Sequence, residues 1–260
     1  MTEKANKKGS AAEYAQLASF IYESGIHSRT PRSGFWFLGS GNQSVAEHLF
    51  RTAFITYALC YLEPAADRSK AILMSLVHDF GEGRTSDLNY VHQKYGRLAE
   101  DHAFEDIAAS VPFGEEMRAL YLEEQKRETL EAKIVKDADT LEWLASMREE
   151  EAKGNAKAHA WAQIAVKRMK TPAGKKIAAQ LMKMHPDAWW FDAKDTWFVD
   201  RKVMKKTVRA SSSASLRGPG ASVTVQSRTA SSSLSPRLAA EAHKRSSTTR
   251  FKKSIRKRTQ

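Results

Sequence analysis

The chain has 260 residues and 42% hydrophobic content, enough for one substantial domain with a tail or for two small domains. No run of about 18 apolar residues occurs, and the opening MTEKANKKGSAAEYAQLA lacks the apolar block and cleavage-like end of a signal peptide, so a membrane-spanning or exported protein is not expected. The net charge of +12 conceals an asymmetry: residues 201–260 hold 16 Lys and Arg against the single acid Glu241, leaving 26 basic and 29 acidic residues in 1–200. The body is therefore mildly acidic and carries no charge signature of a nucleic-acid binder. Cys60 is the only cysteine, which excludes an internal disulfide and fits a reducing, cytoplasmic location. Its apolar setting, ITYALCYL, predicts a buried structural thiol.

Residues 11–24 (AAEYAQLASFIYES) read as an amphipathic helix, followed by a polar segment with Pro31 and several glycines that ends near Gln43. Ser44 followed three residues later by Glu47 is a capping-box pattern, predicting a helix from there to about Leu62. Pro64 and Asp67 punctuate before a second apolar helix over 68–80, with Gly81-Glu82-Gly83 as its stop signal. Residues 84–96 read as a loop or broken helix. Helical periodicity returns over 97–110, 114–126 and 128–152, then over 156–169 and 172–184, with Pro172 near a helix start. The aromatic run DAWWFDAKDTWFV (187–199) is expected to pack back on the body.

Few segments alternate with period two, so the expected fold is all-α over about 10–200, preceded by a flexible segment 1–10. After Asp200, Ser, Arg, Lys, Thr and Ala dominate, with SSSAS and SSSLS repeats. Such a segment buries too little apolar surface to offset its ordering entropy, and 201–260 is expected to be a disordered basic tail.

Three helix-like stretches carry the chemistry: SVAEHLFRTAF with His48, AILMSLVHDFGE with His78 and Asp79, and AKIVKDADTLEWL with Asp139. Two imidazoles and two carboxylates can hold one divalent first-row cation and leave positions for water and phosphate, which points to metal-assisted hydrolysis. Mixed N/O ligation suits Mn, Fe, Co, Ni or Zn better than Ca, and Mg also stays open. Taken singly, each residue has an ordinary explanation. A helical His is usually a surface or satisfied core residue, and Asp137 with Asp139 reads as a solvated helix face. The conjunction carries the case: His, then His-Asp with Glu82 and Asp87 behind it, then Lys-Asp-Ala-Asp-x-Leu-Glu. His27, His92, His102, His159, His185 and His243 lack such a context.

These strings, SVAEHLFRTAF, LVHDFGEGRTSDL and EAKIVKDADTLEWL, resemble the HD-domain phosphohydrolases and, within them, the 5'-deoxynucleotidase branch, over about residues 11–185. The resemblance implies an α-helical bundle that binds one divalent metal through His48, His78, Asp79 and Asp139 and removes phosphate from nucleoside 5'-monophosphates. It implies that Glu82 orients and deprotonates the attacking water, that Asp87 contacts the sugar, and that Arg32 in TPRSGFW binds phosphate, as a guanidinium does bidentately. Asp137 is given a supporting role at most. One departure concerns the residues after Arg32. The bacterial enzymes place a Trp there against base or sugar, whereas this chain continues Ser33-Gly34-Phe35-Trp36.

Other HD enzymes fit less well. The Gly-Tyr-Pro signature of cyclic-dinucleotide phosphodiesterases is absent, as is the Gly-His-Pro-rich extension of triphosphohydrolases. Guanosine tetraphosphate hydrolases usually continue His-Asp-x-x-Glu with Asp, where this chain has Gly83, and they remain an alternative. A different class is a nucleic-acid-binding protein using KRSSTTRFKKSIRKR (244–258), which would attract phosphates without sequence preference. That segment also reads as a nuclear address in a eukaryote or a solubilising end, and with Phe251 as the tail's one aromatic it has little capacity to stack bases. The expected partners are a nucleotide substrate and a second copy of the chain, with no membrane.

Overall fold

The structure is a computed structural model that describes residues 9–198. The expected basic tail, with its nucleic-acid or nuclear-address reading, and all but the last two residues of the N-terminal segment 1–10 lie outside the described residues. Among the described residues the architecture is all-α, and the sole β feature is an isolated antiparallel bridge between Pro31 and Ser44.

Helix α1 spans Ala11–Ser24 behind a Ser10–Glu13 capping box, and a 3-10 turn follows at Gly25–Ser28. Helix α2, Gly34–Leu38, is one turn anchored by buried Phe35 and Leu38 and closed by Gly39 at φ 83°. The expected polar segment thus contains a short helix that its composition did not announce. Helix α3, Val45–Leu62, starts at the predicted capping box: Ser44 Oγ accepts from Glu47 N, and the Glu47 carboxylate accepts from Ser44 N at 2.7 Å. Cys60 is buried in it. Asp67 caps helix α4, Arg68–Val77.

The chain after α4 departs from the expected stop. Helix α4 ends at Val77, tight turns carry His78–Gly81, and a further helical turn α5 runs over Glu82–Thr85. Gly81 stays right-handed at φ −59°, and the chain reverses instead at Ser86, φ 75°. Gly81 and Gly83 serve close approach. A Cβ at Gly81 would lie 3.1 Å from Glu100 Cγ, and one at Gly83 would lie 2.9 Å from His27 Nε2. That requirement comes from distant residues and has no local signature.

Asn89 caps the short helix α6, Tyr90–Tyr95, inside the expected loop. Helices α7 (Glu100–Ala109), α8 (Gly114–Lys126), α9 (Leu130–Ala152), α10 (Ala156–Val166) and α11 (Pro172–Leu181) follow, within three residues of the periodicity reading at every end. Helix α9 is the central element, packed by α3, α4, α8, α10 and α11. Ile134, Val135, Ala138, Leu141, Leu144 and Met147 are all fully buried on it. A helix apolar around most of its circumference is one buried on most sides. Each such Leu contributes about 1.5–3 kcal/mol on leaving water, so α9 is a rigid post from which polar side chains can be aimed.

The aromatic run does not pack into this core. Trp189 is 83% exposed and Trp190 50%, and Trp190, Phe191, Trp197 and Phe198 contact mainly one another. No helix among the described residues is long and apolar enough to cross a membrane.

Candidate metal centre and cleft

Three segments converge. Helix α3 supplies His48, the turn after α4 supplies His78 and Asp79, and α9 supplies Asp139. His48 Nε2 lies 3.3 Å from Asp79 Oδ2 and 3.5 Å from Asp139 Oδ1, and His78 Nε2 lies 3.2 Å from Asp79 Oδ2. Donor atoms of His48, His78 and Asp139 all fall within 4.8 Å of one another.

The tautomers can be deduced. His78 Nδ1 lies 2.8 Å from the Ser75 carbonyl oxygen, which only accepts, so Nδ1 carries the proton. His48 Nδ1 donates likewise to the buried Glu142 carboxylate at 2.8 Å. Nε2 is thus the nitrogen of each ring that can give a lone pair to a cation, which would displace any proton held there, and both Nε2 atoms are buried without a hydrogen-bond partner. Two orphaned imidazole nitrogens facing two carboxylates fit a divalent cation, with the opposite nitrogens fixed as metal-binding histidines require.

The electrostatics agree with a cation-seeking pocket. Burial alone would raise the Asp79 and Asp139 carboxyls. Yet His78 and His48 hold Asp79 well below the usual range, and Lys136 with both histidines does the same for Asp139. Burial alone would lower His78, but the Asp79 charge pushes it up to about 9. Lys136 Nζ sits 2.6 Å from Asp139 Oδ2, fixing that carboxylate.

Arg32, on the loop before α2, is largely buried, with Nη1 at 3.3 Å from Asp79 Oδ2 and 4.0 Å from Glu82 Oε2. Burial opposes its charge, but Glu82, Asp79 and Asp87 raise its pKa further. Glu82 Oε2 is buried without a hydrogen-bond partner. Burial and the Asp79 charge raise the Glu82 carboxyl well above its ordinary value, against the pull of Arg32. Glu100, at the start of α7, closes a second acidic group with Asp79 and Glu82, and burial with Asp79 raises it to about 7. Asp87 Oδ2 accepts from Ser33 N at 2.6 Å and from Ser33 Oγ at 3.3 Å, tying the segment before α6 to the Arg32 loop. Asn89, not Asp87, is the helix cap.

A cleft of about 350 Å³ opens over these groups, lined by Arg32, Asp79, Glu82, Asp87, Lys136 and Asp139 and walled by Tyr90, Gln93, Arg127, Trp143 and Arg168. Two larger depressions, of about 500 and 550 Å³, contain neither Asp79 nor Asp139. Trp36 does not enter the cleft. It is 60% exposed and faces His92, while Trp143 of α9 takes a place in the wall against Gly34. A Cβ at Gly34 would lie 2.8 Å from the Trp143 ring.

Asp137, two residues before Asp139, points elsewhere. It is fully buried and accepts from Lys170 N, Thr171 N and Thr171 Oγ1, pinning the entry to α11. Among the groups around the cleft that sequence reasoning left without a role, Glu142 was visible as the residue one turn beyond Asp139. Lys136 stood three residues before it, whereas Glu100 and Trp143 gave no signal.

A helical site of this kind, built from His, His-Asp and a distant Asp, defines a metal-dependent hydrolase. Residues 28–182 match the HD domain, and the chain belongs to the HD-domain family of metal-dependent phosphohydrolases. It is 30% identical to the 5'-deoxynucleotidase hdd1 of Schizosaccharomyces pombe (strain 972 / ATCC 24843) over 136 residues, 48% of this chain and 68% of the relative. Among solved structures, a conserved hypothetical protein from Pyrococcus furiosus is similar at 28% identity and TM-score 0.57, covering 64% of this chain and 99% of its own. A protein from Magnetospirillum magnetotacticum MS-1, described as a predicted metal-dependent phosphohydrolase, shares the fold at 21% identity and TM-score 0.55, over 66% of this chain and 92% of its own.

Proposed function

We propose that the chain hydrolyses (deoxy)nucleoside 5'-monophosphates to nucleoside and phosphate, with one divalent cation held by His48, His78, Asp79 and Asp139. The observation that carries this reading is the pair of orphaned Nε2 atoms buried against Asp79 and Asp139, two carboxylates that line the cleft. Similarity to a 5'-deoxynucleotidase supports the substrate class. Bound there, a divalent cation supplies Lewis acidity and makes water a competent nucleophile at neutral pH.

The chain's own side chains account for the remaining tasks. Glu82 holds an unpartnered carboxylate oxygen in the cleft, and its raised proton affinity suits it to take the proton of the attacking water. Arg32 is permanently charged and pairs with phosphate oxygens, as a planar guanidinium does best. Ser33 and Asp87 hold the Arg32 loop in place, and the role of sugar contact falls to Asp87, which lines the cleft. Trp143 and Tyr90 offer aromatic surface to the base.

The test is phosphate release by the metal-stripped full-length protein from a panel of nucleoside 5'-monophosphates, with Mg, Mn, Co and Zn added back singly and Asp79→Ala run alongside. Metal-restored release that disappears in Asp79→Ala is the expected result. Folded protein that releases nothing with any of the metals overturns the substrate assignment. Near-normal release by Asp79→Ala overturns the site assignment.

A further inference from the structure

Beyond Asp87 the cleft wall is built by α6 and by a side chain that leans on it. Tyr90 and Gln93 stand one turn apart on α6, and both line the cleft. Arg168, two residues past the end of α10, reaches the same wall. Its guanidinium sits over the Tyr90 ring, 4.7 Å from the centroid, and Nη1 donates to the Tyr90 hydroxyl oxygen. Stacking on the ring and a hydrogen bond at its edge together fix the orientation of the planar fork. The other cations of the cleft are engaged by acids: Arg32 by Asp79, Lys136 by Asp139, and Arg127 by Glu124 at 3.6 Å. Among the described residues no carboxylate pairs with Arg168, and its Nε and Nη2 donors have no protein acceptor.

We propose that Arg168 is a specificity-determining residue that reads the base of the bound nucleotide and selects guanine. The inference rests on the reading of the cleft as a nucleotide site and adds the base to it. With the phosphate at Arg32 and the metal ligands, and the sugar at Asp87, the base falls against the next residues along the same wall, where Tyr90 follows Asp87 by three positions. Trp36 lies outside the cleft, so base recognition falls to Tyr90, Trp143 and the polar groups beside them.

Those polar groups decide which base fits. The free edge of a guanidinium presents parallel N–H donors, and guanine presents O6 and N7 as adjacent acceptors. Adenine sets its N6 amino group, a donor, beside N7, and its matching partner is an amide that gives one donor and one acceptor. Gln93 cannot be that amide. Its Nε2 donates to the Leu88 carbonyl oxygen at 2.6 Å, and because a carbonyl only accepts, the amide is held in that orientation. Pyrimidines offer the fork at most a single acceptor on the corresponding edge. A second phosphate on Arg168 is the rival occupant. It would need charge alone, whereas base reading needs the planar fork, and lysine keeps the first and loses the second.

The experiment measures kcat/KM of the metal-loaded full-length protein for dGMP, dAMP and 7-deaza-dGMP, which lacks the N7 acceptor, in wild type and in Arg168→Lys. Wild type should favour dGMP over dAMP by about tenfold, toward the low end for a bidentate base contact because the pair is solvent-exposed. The 7-deaza compound should lose most of that advantage, and Arg168→Lys should abolish the preference between dGMP and dAMP. A wild type without preference overturns the proposal. A lysine variant that keeps the preference, or that slows both nucleotides equally, makes Arg168 a point charge and overturns it too. Calorimetric titration with non-hydrolysable 5'-phosphonates of deoxyguanosine and deoxyadenosine separates this outcome from the nucleotidase reading. If no nucleotide is hydrolysed, yet wild type and not Arg168→Lys binds the guanine phosphonate more tightly, the hydrolysis reading fails and the base site stands. Equal binding of the two phosphonates, or none, overturns the base site.

Discussion

His48 Nδ1 and the Glu142 carboxylate are joined at 2.8 Å across 94 residues of sequence, with both side chains fully buried. Glu142 is fixed in turn: Oε1 accepts from Gln43 Nε2 at 2.5 Å and from Arg51 Nε at 2.9 Å. Burial would raise its carboxyl, but the hydrogen bond and charge of His48, with Arg51 and Gln43, lower it to about 2. An anion that stays ionised holds the His48 proton on Nδ1 and so keeps Nε2 free for a cation. Glu142→Gln should weaken binding of Mn or Co about 10–100-fold, as loss of such an orienting partner typically does. Calorimetric titration of the stripped protein checks this, and an unchanged affinity would remove Glu142 from the site.

Asp137 and Asp139 are close in sequence and opposite in consequence. On a helix, residues two apart point about 200° away from each other, so one can face the cleft while the other faces α11. Asp137→Ala would strip the partner from two backbone N–H groups, of which that of Thr171 is buried, and from the buried Thr171 hydroxyl, at about 3 kcal/mol or more. Urea unfolding should show that loss, while metal affinity of the folded fraction stays near wild type. Asp139→Ala should give the reverse, with metal binding lost and the unfolding of the metal-stripped protein little changed. Finding the two phenotypes exchanged would overturn both assignments.

What could be read ahead of the structure follows the range of the determinant. The Ser44–Glu47 box spans three residues, and it placed the start of α3. The apolar periodicity of 128–152 is also local, and it located the central helix. His48, His78, Asp79 and Asp139 were legible because each stands in an apolar helical string where an unexplained polar residue is conspicuous. Gly81-Glu82-Gly83 was misread because its glycines answer to Glu100 and His27, which only the tertiary fold brings near. Glu100 sits among ordinary helical acids, and nothing nearby in sequence reveals that Asp79 and Glu82 share its space. The run 187–199 was expected to pack back on the body; its 3-10 turn Pro186–Trp189 does lie against α9, while the rings of Trp189, Trp190 and Phe191 stay largely exposed.

Glu100 gives the metal-stripped protein a specific pH dependence. Burial first, then the Asp79 and Asp101 charges, raise its carboxyl to about 7. An acid held more tightly protonated in the native state than in the unfolded chain favours folding while protonated. That advantage fades as pH rises from the ordinary carboxyl range through 7. Stripped wild type should therefore lose stability between pH 5 and 8 relative to Glu100→Gln, which keeps the shape without the charge. The gap at pH 8 should be on the order of 1 kcal/mol for a half-buried group, after allowing for solvent screening. Urea midpoints at the two pH values measure it, and a variant less stable than wild type at pH 8 would show that a nearby cation offsets the Glu100 charge.

Removing the cation should cost the fold as well as the chemistry. Without it, two imidazole nitrogens and Glu82 Oε2 stay buried and unpartnered, and Asp79, Glu82 and Glu100 crowd one another. A ligand that binds only the native state stabilises it by about 2.7 kcal/mol at a free concentration 100 times its Kd. For a domain of this size that corresponds to a Tm increase of roughly 5–10 °C. Chelation should lower Tm by that amount and added Mn or Co should restore it, whereas His78→Ala should start low and respond to neither. The ligand set is disproved if chelator and metal leave the wild-type Tm unchanged, or if His78→Ala recovers with metal as fully as the wild type does.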